Sequence, residues 1–246
     1  MAESAYLPVF YRSPLPAEPE FELDGDEGHH AARVRRLRVG EQLRIADGAG
    51  TFADCVVSDV GPRSLTVRVE SRGYAEPRRP ALVVAQALPK ADRGTLAVEL
   101  LTEAGVDEIV PWQAEHSVSR WDGKSEKGRA KWAAVAREAS KQSRRVRIPS
   151  IAEVLRGTSI ASLGERGRLI VLHESASEPL TPVNLDPAGE DVVLVVGSEG
   201  GISPDELAAL TDAGADVVRL GPEGLRTSSA GIVAATWASL ALGRWT

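Results

Sequence analysis

The sequence predicts two domains of different class: a small β-barrel-like unit over 1–72, then an α/β unit with a parallel sheet over 81–246. Three observations carry this. Before residue 71 the apolar residues alternate with polar ones; after residue 80 apolar strand-like runs alternate with helical stretches; between them, Ser71–Pro80 (SRGYAEPRRP) shows no apolar periodicity and reads as a linker. At 246 residues, 43% apolar and 26% charged, the chain has the composition of an ordinary globular protein with enough length for a sizeable core.

In the first domain a short helix is expected over Glu27–Leu37. Gln42–Asp47 and Thr51–Val60 read as strands separated by a turn at Gly48 and Gly50. Leu65, Val67 and Val69 alternate with Thr66, Arg68 and Glu70, the period of a half-buried strand. Cys55 is the one cysteine, so neither an internal disulfide nor a cysteine-based metal cluster is available, and a buried small hydrophobe is its expected role.

In the second domain Ala81–Leu88 is a continuous apolar run, as in a strand covered on both faces. A helix follows over Arg93–Ala104, with Leu96, Leu100 and Ala104 at i, i+4 spacing and Gly105 as its stop. Glu108–Trp112 reads as a strand and Glu126–Arg145 as a long helix; Arg168–His173 and Asp191–Val196 are further strands. Ser203-Pro204-Asp205-Glu206 has the capping-box pattern of a helix start. Val217–Leu220 is a last strand and an apolar helix begins near Ser228. Strand–helix alternation on this scale means a parallel sheet with helices on both faces.

Several classes are argued against. His29, His30, His116 and His173 lack metal-ligand spacing, so no metal is expected. Met1–Phe10 carries no basic start followed by an apolar core, and Ser228–Gly243 is interrupted by Ser and Thr and short for a bilayer, so no membrane association and a cytoplasmic location are expected. The net charge of −6 opposes a nucleic-acid partner, but its distribution does not. Arg33, Arg35, Arg36 and Arg38 crowd into one segment, and Arg137, Lys141, Arg144, Arg145 and Arg147 into another.

In open α/β sheets ligands bind beyond the carboxyl ends of the strands. Three such ends stand out: Leu172-His173-Glu174; Gly197-Ser198-Glu199-Gly200-Gly201 after Val196; and Leu220-Gly221-Pro222 running into Leu225-Arg226-Thr227-Ser228-Ser229. Three glycines in five residues let the backbone approach a ligand closely. The loop has neither dinucleotide G-x-G-x-x-G spacing nor the Gly-Lys-Ser/Thr of a phosphate loop.

VVLVVGSEGGISPDEL (192–207) and VRLGPEGLRTSSAGIVAATWASL (218–240) resemble the closing motifs of the RsmE family, SPOUT-class enzymes that methylate N3 of a uridine in small-subunit ribosomal RNA. LPKADRGTLAVELLTEAGVDEIVPW (88–112), KWAAVAREASKQSRRVRIPSI (131–151) and HHAARVRRLRVGEQLRIADGAG (29–50) are similar to the family's first strand–helix–strand unit, its basic helix and its PUA-like RNA-binding domain. This sequence has Glu223 where the family commonly has Arg, and Ser228 where it has Glu. The resemblance implies a trefoil-knotted SPOUT domain that forms a homodimer, S-adenosyl-L-methionine as cofactor, and 16S rRNA or the small ribosomal subunit as partner.

Residue roles follow. Leu172, His173, Glu174, Gly197, Ser198, Glu199, Gly200, Gly201, Leu220, Gly221, Leu225 and Ser229 are the candidate cofactor contacts. Arg226 is the first catalytic candidate, because a fixed guanidinium stabilises negative charge on a deprotonating imide. Glu199 has two readings, a general base or a complement to the helix starting at Ser203. Ser228 and Ser229 cap the last helix, contact cofactor, or both. Arg33, Arg36, Lys90, Arg93, Arg137, Lys141, Arg144 and Arg145 are candidate RNA contacts, with 137, 141 and 145 on one helical stripe. Trp132 and Trp237 read as core or dimer contacts. Two rival functions remain at this stage: methylation of a ribose 2′-hydroxyl, and non-catalytic RNA binding in ribosome assembly.

Overall fold

The computed structural model describes residues 7–90 and 92–245; the first residues of Met1–Phe10, read above for a leader, lie outside that range. The chain divides into two compact units, one holding the residues up to Pro77 together with Arg137–Ile148, the other Arg78–Ala136 and the residues from Pro149 onward.

The first unit is a five-stranded sheet of β1 (Val9–Tyr11), β2 (Glu20–Leu23), β3 (Gln42–Ala46), β4 (Thr51–Val60) and β5 (Leu65–Tyr74), in the order β1-β3-β4-β5-β2. All neighbours are antiparallel except β1 and β3. Phe10, Leu23, Leu43, Ile45, Val57, Leu65 and Val67 fill its core with Cys55 among them. Burial pushes the Cys55 thiol up to about 12, as an inert packing residue requires. Gly48 (φ 81°) and Gly50 (φ 118°) form the turn between β3 and β4, where Asp47 Oδ1 accepts the amides of Ala49 and Thr51.

Two expectations are corrected here. The segment Ser71–Tyr74 is strand, not linker: β5 continues through it opposite Thr51–Asp54. It lacks aliphatic residues because it is largely exposed, and Gly73 is where the Phe52 ring lies over the strand, so that a Cβ there would have to displace the ring. The helix expected over Glu27–Leu37 begins earlier, as α1 (Gly25–His29), and widens into a π-turn over His30–Val34 before Arg36 ends it at φ 56°. β1 and β2 carry too few residues to be read from periodicity.

The second unit is an all-parallel seven-stranded sheet. Along β12 (Asp216–Val218), β10 (Gly167–Leu172), β11 (Asp191–Val196), β6 (Leu82–Ala87), β7 (Glu108–Gln113) and β8 (Ser150–Ile151) each strand pairs with the next, and β9 (Leu155–Arg156) also pairs with β7. β6 and β11 are apolar and buried along nearly their whole length, as strands covered on both faces must be. The helices are α2 (Arg93–Glu103), α3 (Ser125–Gln142), α4 (Pro204–Asp212) and α5 (Thr227–Ala241). Ser203 caps α4 as expected: its Oγ accepts the Glu206 amide while Glu206 accepts the Ser203 amide.

α2 lies where expected but presents a different face. Ala97, Val98 and Leu101 are buried, whereas Leu96 of the expected stripe is 40% exposed. α3 stops at Gln142 and Arg144 turns at φ 56°, so Arg145 is off the helix and the stripe 137/141/145 loses its third member. Trp132 is core, packed edge-on against Trp121. Among the described residues no helix is long and apolar enough to cross a membrane, and no group of three or more His, Cys, Asp or Glu is placed to hold a metal.

One buried phenol in the first unit gives a pH test. The Tyr11 hydroxyl donates to the Arg145 carbonyl at 2.6 Å, and burial pushes its pKa up to about 12 against the counter-effect of Arg145 and Arg137. The folded value lies above the unfolded one of about 10, so the neutral phenol's contribution is whole below pH 10 and drains as pH rises toward 12. Tyr11→Phe is expected to lose about 1 kcal/mol at pH 7 and to flatten the alkaline decline in denaturation midpoints; parallel declines in both proteins would refute this.

Candidate cofactor pocket and active site

β10, β11 and β12 are neighbours whose last residues stand in register: Leu172 pairs with Val196 on one side and Val218 on the other. The loops leaving those ends enclose a cavity of about 510 Å³, within the size range of small-molecule sites. Its wall contains Leu172, His173, Glu174, Gly197, Ser198, Gly200, Gly201, Leu220, Gly221 and Leu225, ten of the candidates named from sequence. Glu199 and Ser229 are not in that wall, nor is Arg226.

The Gly197–Gly201 loop is a tight reversal. The Gly201 amide donates to the Ser198 carbonyl at 3.0 Å and the Ser198 hydroxyl to the Gly201 carbonyl at 3.1 Å, with Gly201 at φ 80°. His173 starts its loop with its amide on the Val218 carbonyl at 2.9 Å, and its Nδ1 accepts the Ser175 amide at 3.2 Å. Nδ1 as acceptor leaves the hydrogen on Nε2, a donor. Arg219 is held on both sides by Glu178 and Leu180 backbone groups, at 2.8 and 2.9 Å.

Arg226 is exposed and is the N-cap residue of α5, with no side-chain cap. Neither Ser228 nor Ser229 caps the helix, which corrects that alternative; Ser228 is buried and its Oγ has no hydrogen-bond partner. Gln86, fully buried near the end of β6, donates through Nε2 to the Ala87 carbonyl at 3.1 Å and at 3.5 Å reaches the Thr227 carbonyl in the first turn of α5. Glu199 is exposed and its Oε1 accepts the Lys90 amide at 3.2 Å.

Sequence reasoning missed Arg219, Ile202, Gly224 and Ala230 in the wall, and placed Val196, Pro222 and Thr227 in the strand-end segments without naming them as contacts. Their signal was adjacency to the loops already singled out. Glu223, noted only as a departure from the family, also lines the cavity.

The basic residues separate into two kinds. In the first unit Arg33, Arg35, Arg36, Arg38 and Arg63 are exposed, with Arg33 Nε on the Pro62 carbonyl. Arg137 and Lys141 converge on Glu27 Oε1 at 2.9 and 3.4 Å, and Lys141, like Glu27, is only 12% exposed. Arg137 also donates to the Tyr11 carbonyl and lies over its ring, and Arg145 Nε donates to the Arg147 carbonyl. Arg137 and Lys141 are therefore internal ties of the first unit rather than a solvated basic face. Arg144 is exposed. In the second unit Lys90 is exposed beyond β6, and Arg93 opens α2 partly exposed.

A PUA domain of RNA methyltransferases matches residues 23–70, and an RNA methyltransferase domain matches residues 76–239. The fold and its pocket thus define an RNA methyltransferase of the SPOUT class. A Mycobacterium tuberculosis relative, ribosomal RNA small subunit methyltransferase E, is 49% identical over 96% of this chain and 93% of its own; the Bacillus subtilis protein of the same name is 30% identical over 88% of each. The chain belongs to the ribosomal RNA small subunit methyltransferase E family. Among solved structures, a Legionella pneumophila methyltransferase in complex with S-adenosylmethionine superposes with a TM-score of 0.80 at 25% identity, covering 96% of this chain and 98% of that one.

Proposed function

We propose that this chain transfers a methyl group from S-adenosylmethionine to N3 of a uridine in 16S ribosomal RNA. The cavity at the level ends of β12, β10 and β11 carries the reading. Its chemistry suits the cofactor: Leu172, Val196, Ile202, Leu220 and Leu225 offer apolar contact to an adenine ring, Glu174 and Glu223 complement positive charge, and Arg219 and the His173 Nε2 complement a carboxylate. When bound, S-adenosylmethionine supplies an electrophilic methyl on a positively charged sulfur.

Uridine N3 is nucleophilic only once its imide proton is lost, which spreads negative charge over O2 and O4. Arg226, exposed at the N-cap of α5 beside the cavity wall, is the group we assign to stabilise that charge. Glu199, its carboxylate oriented by the Lys90 amide, is the assigned proton acceptor. Exposed Arg33 and Arg36 in the first unit and Lys90 and Arg93 in the second are assigned to RNA phosphates. Leu96 on α2 and Val233 and Leu240 on α5 leave apolar surface exposed; a second copy covering it, the trefoil knot of the class and a cytoplasmic site of action belong to the same proposal.

Primer extension on 16S rRNA tests the reaction. Incubation with this protein and cofactor is expected to create one strong stop, because an N3 methyl blocks the pairing edge. Modified RNA without a stop would point to a ribose methyl, and no modification at all would sink the enzymatic reading. Arg226→Ala is expected to lower kcat by about 100-fold or more with cofactor affinity kept within a few-fold, and Glu199→Gln to lower kcat while still accepting the Lys90 amide; near-normal turnover in either variant removes that residue's role. Arg33→Glu with Arg36→Glu is expected to weaken RNA binding and reduce its salt slope by about 2, measured by titration at several salt concentrations; an unchanged slope would dismiss this surface.

A further inference from the structure

The loop after β7, Ala114–Ser119, contributes no residue to the cavity wall, yet it is fastened to that wall. The Glu115 amide donates to Glu206 Oε1 at 2.7 Å, and Glu206, 1% exposed, uses its other oxygen to cap α4. The Ser119 hydroxyl donates to the Pro89 carbonyl at 2.6 Å, next to the Lys90 amide that Glu199 accepts. Between these ties, His116 Nδ1 lies 2.9 Å from the Gly200 carbonyl oxygen. A carbonyl only accepts, so Nδ1 carries the hydrogen.

Gly200 is a wall residue and His116 is not, so this bond draws a wall carbonyl toward a group behind it. The approach is close: a Cβ on Gly200 would stand 2.8 Å from the His116 Cβ and 3.2 Å from its carbonyl oxygen. The next residue, Gly201, sits at φ 80°, which glycine adopts without strain but does not enforce, so the direction of the peptide before it depends on its hydrogen bonds. His116 is itself exposed and adds little to the core.

Building on the assignment of this cavity to S-adenosylmethionine, we infer that His116 is a positioning residue, whose Nδ1–H holds the Gly200–Gly201 peptide in the orientation that receives the cofactor. The loop after β7 thereby acts on the cofactor without touching it. A wall held in place before binding spares the ordering cost that a loose glycine loop would incur on each encounter.

Two variants separate the hydrogen bond from the shape. His116→Asn retains an N–H donor close to the Nδ1 position, whereas His116→Phe keeps the ring and removes the donor. Calorimetric titration of the intact protein with S-adenosylmethionine, without RNA, is expected to show the Kd raised about tenfold by Phe and no more than about threefold by Asn. In steady state the KM for the cofactor should rise in step, with kcat at saturation and the KM for RNA unchanged. Wild-type affinity in the Phe variant, equal losses in both variants, or a fall in kcat alone would overturn the role of His116 while leaving the cavity's assignment standing. Failure of the unsubstituted protein to bind would overturn that assignment and this inference together.

Discussion

The level ending of three parallel strands is the constraint on which the site depends. Leu172, Val196 and Val218 are the last residues of β10, β11 and β12, and the register places them side by side. Each strand lies in a sheet whose neighbours run the same way, so the chain must cross over a face of the sheet before re-entering it. Loops of the same polarity therefore collect along one edge. A shift of β10 by one residue would turn its alternating side chains to the opposite faces and carry His173 off the row.

What holds that edge in place is close packing by small residues behind it. α2 and α5 pack against each other, with Ala97 on the first and Ala234, Ala235 and Ala238 on the second all buried. A Cβ on Gly231 would stand 3.1 Å from Leu101 of α2 and 3.4 Å from the Gln86 amide oxygen, so the glycine lets α5 seat directly against both α2 and β6. That closeness lets a fully buried Gln86 reach the Thr227 carbonyl, and the first turn of α5, with Arg226 before it, is delivered to the cavity. Gln86 donates through its nitrogen while its oxygen has no partner, a cost accepted where the helix start must be placed.

Much of this was legible in the sequence because the determinants are local. The apolar run Asp191–Val196, the capping box at Ser203 and the glycines at 48 and 50 each act within a few residues of themselves. The three loops were legible for the same reason. What escaped depends on partners distant in sequence: Ser71–Tyr74 is strand only because Thr51–Asp54 lies beside it, and Leu96 is exposed because α2 turns Ala97, Val98 and Leu101 to its buried side. His116 carried no signal, since nothing in its own segment reveals that Gly200 stands 2.9 Å away.

Charge was the least legible property, and the reason is physical. Two arginine-rich segments looked alike in the sequence, and the fold separates them by what each meets. Around Arg137 and Lys141 the neighbours are Glu27, itself almost buried, and Glu138, 2.8 Å from Lys141, so two cations meet two carboxylates and their charge is spent inside the first unit. Around Arg33 and Arg36 the main chain turns outward through a π-turn and a left-handed residue, which keeps guanidinium groups in solvent. Counting both clusters as phosphate-binding would overstate the field presented to an RNA. A chain of net charge −6 can hold a polyanion only where its cations are exposed and unneutralised, and for that reason the proposed RNA contact is assigned to the segment 33–38 rather than to the end of α3.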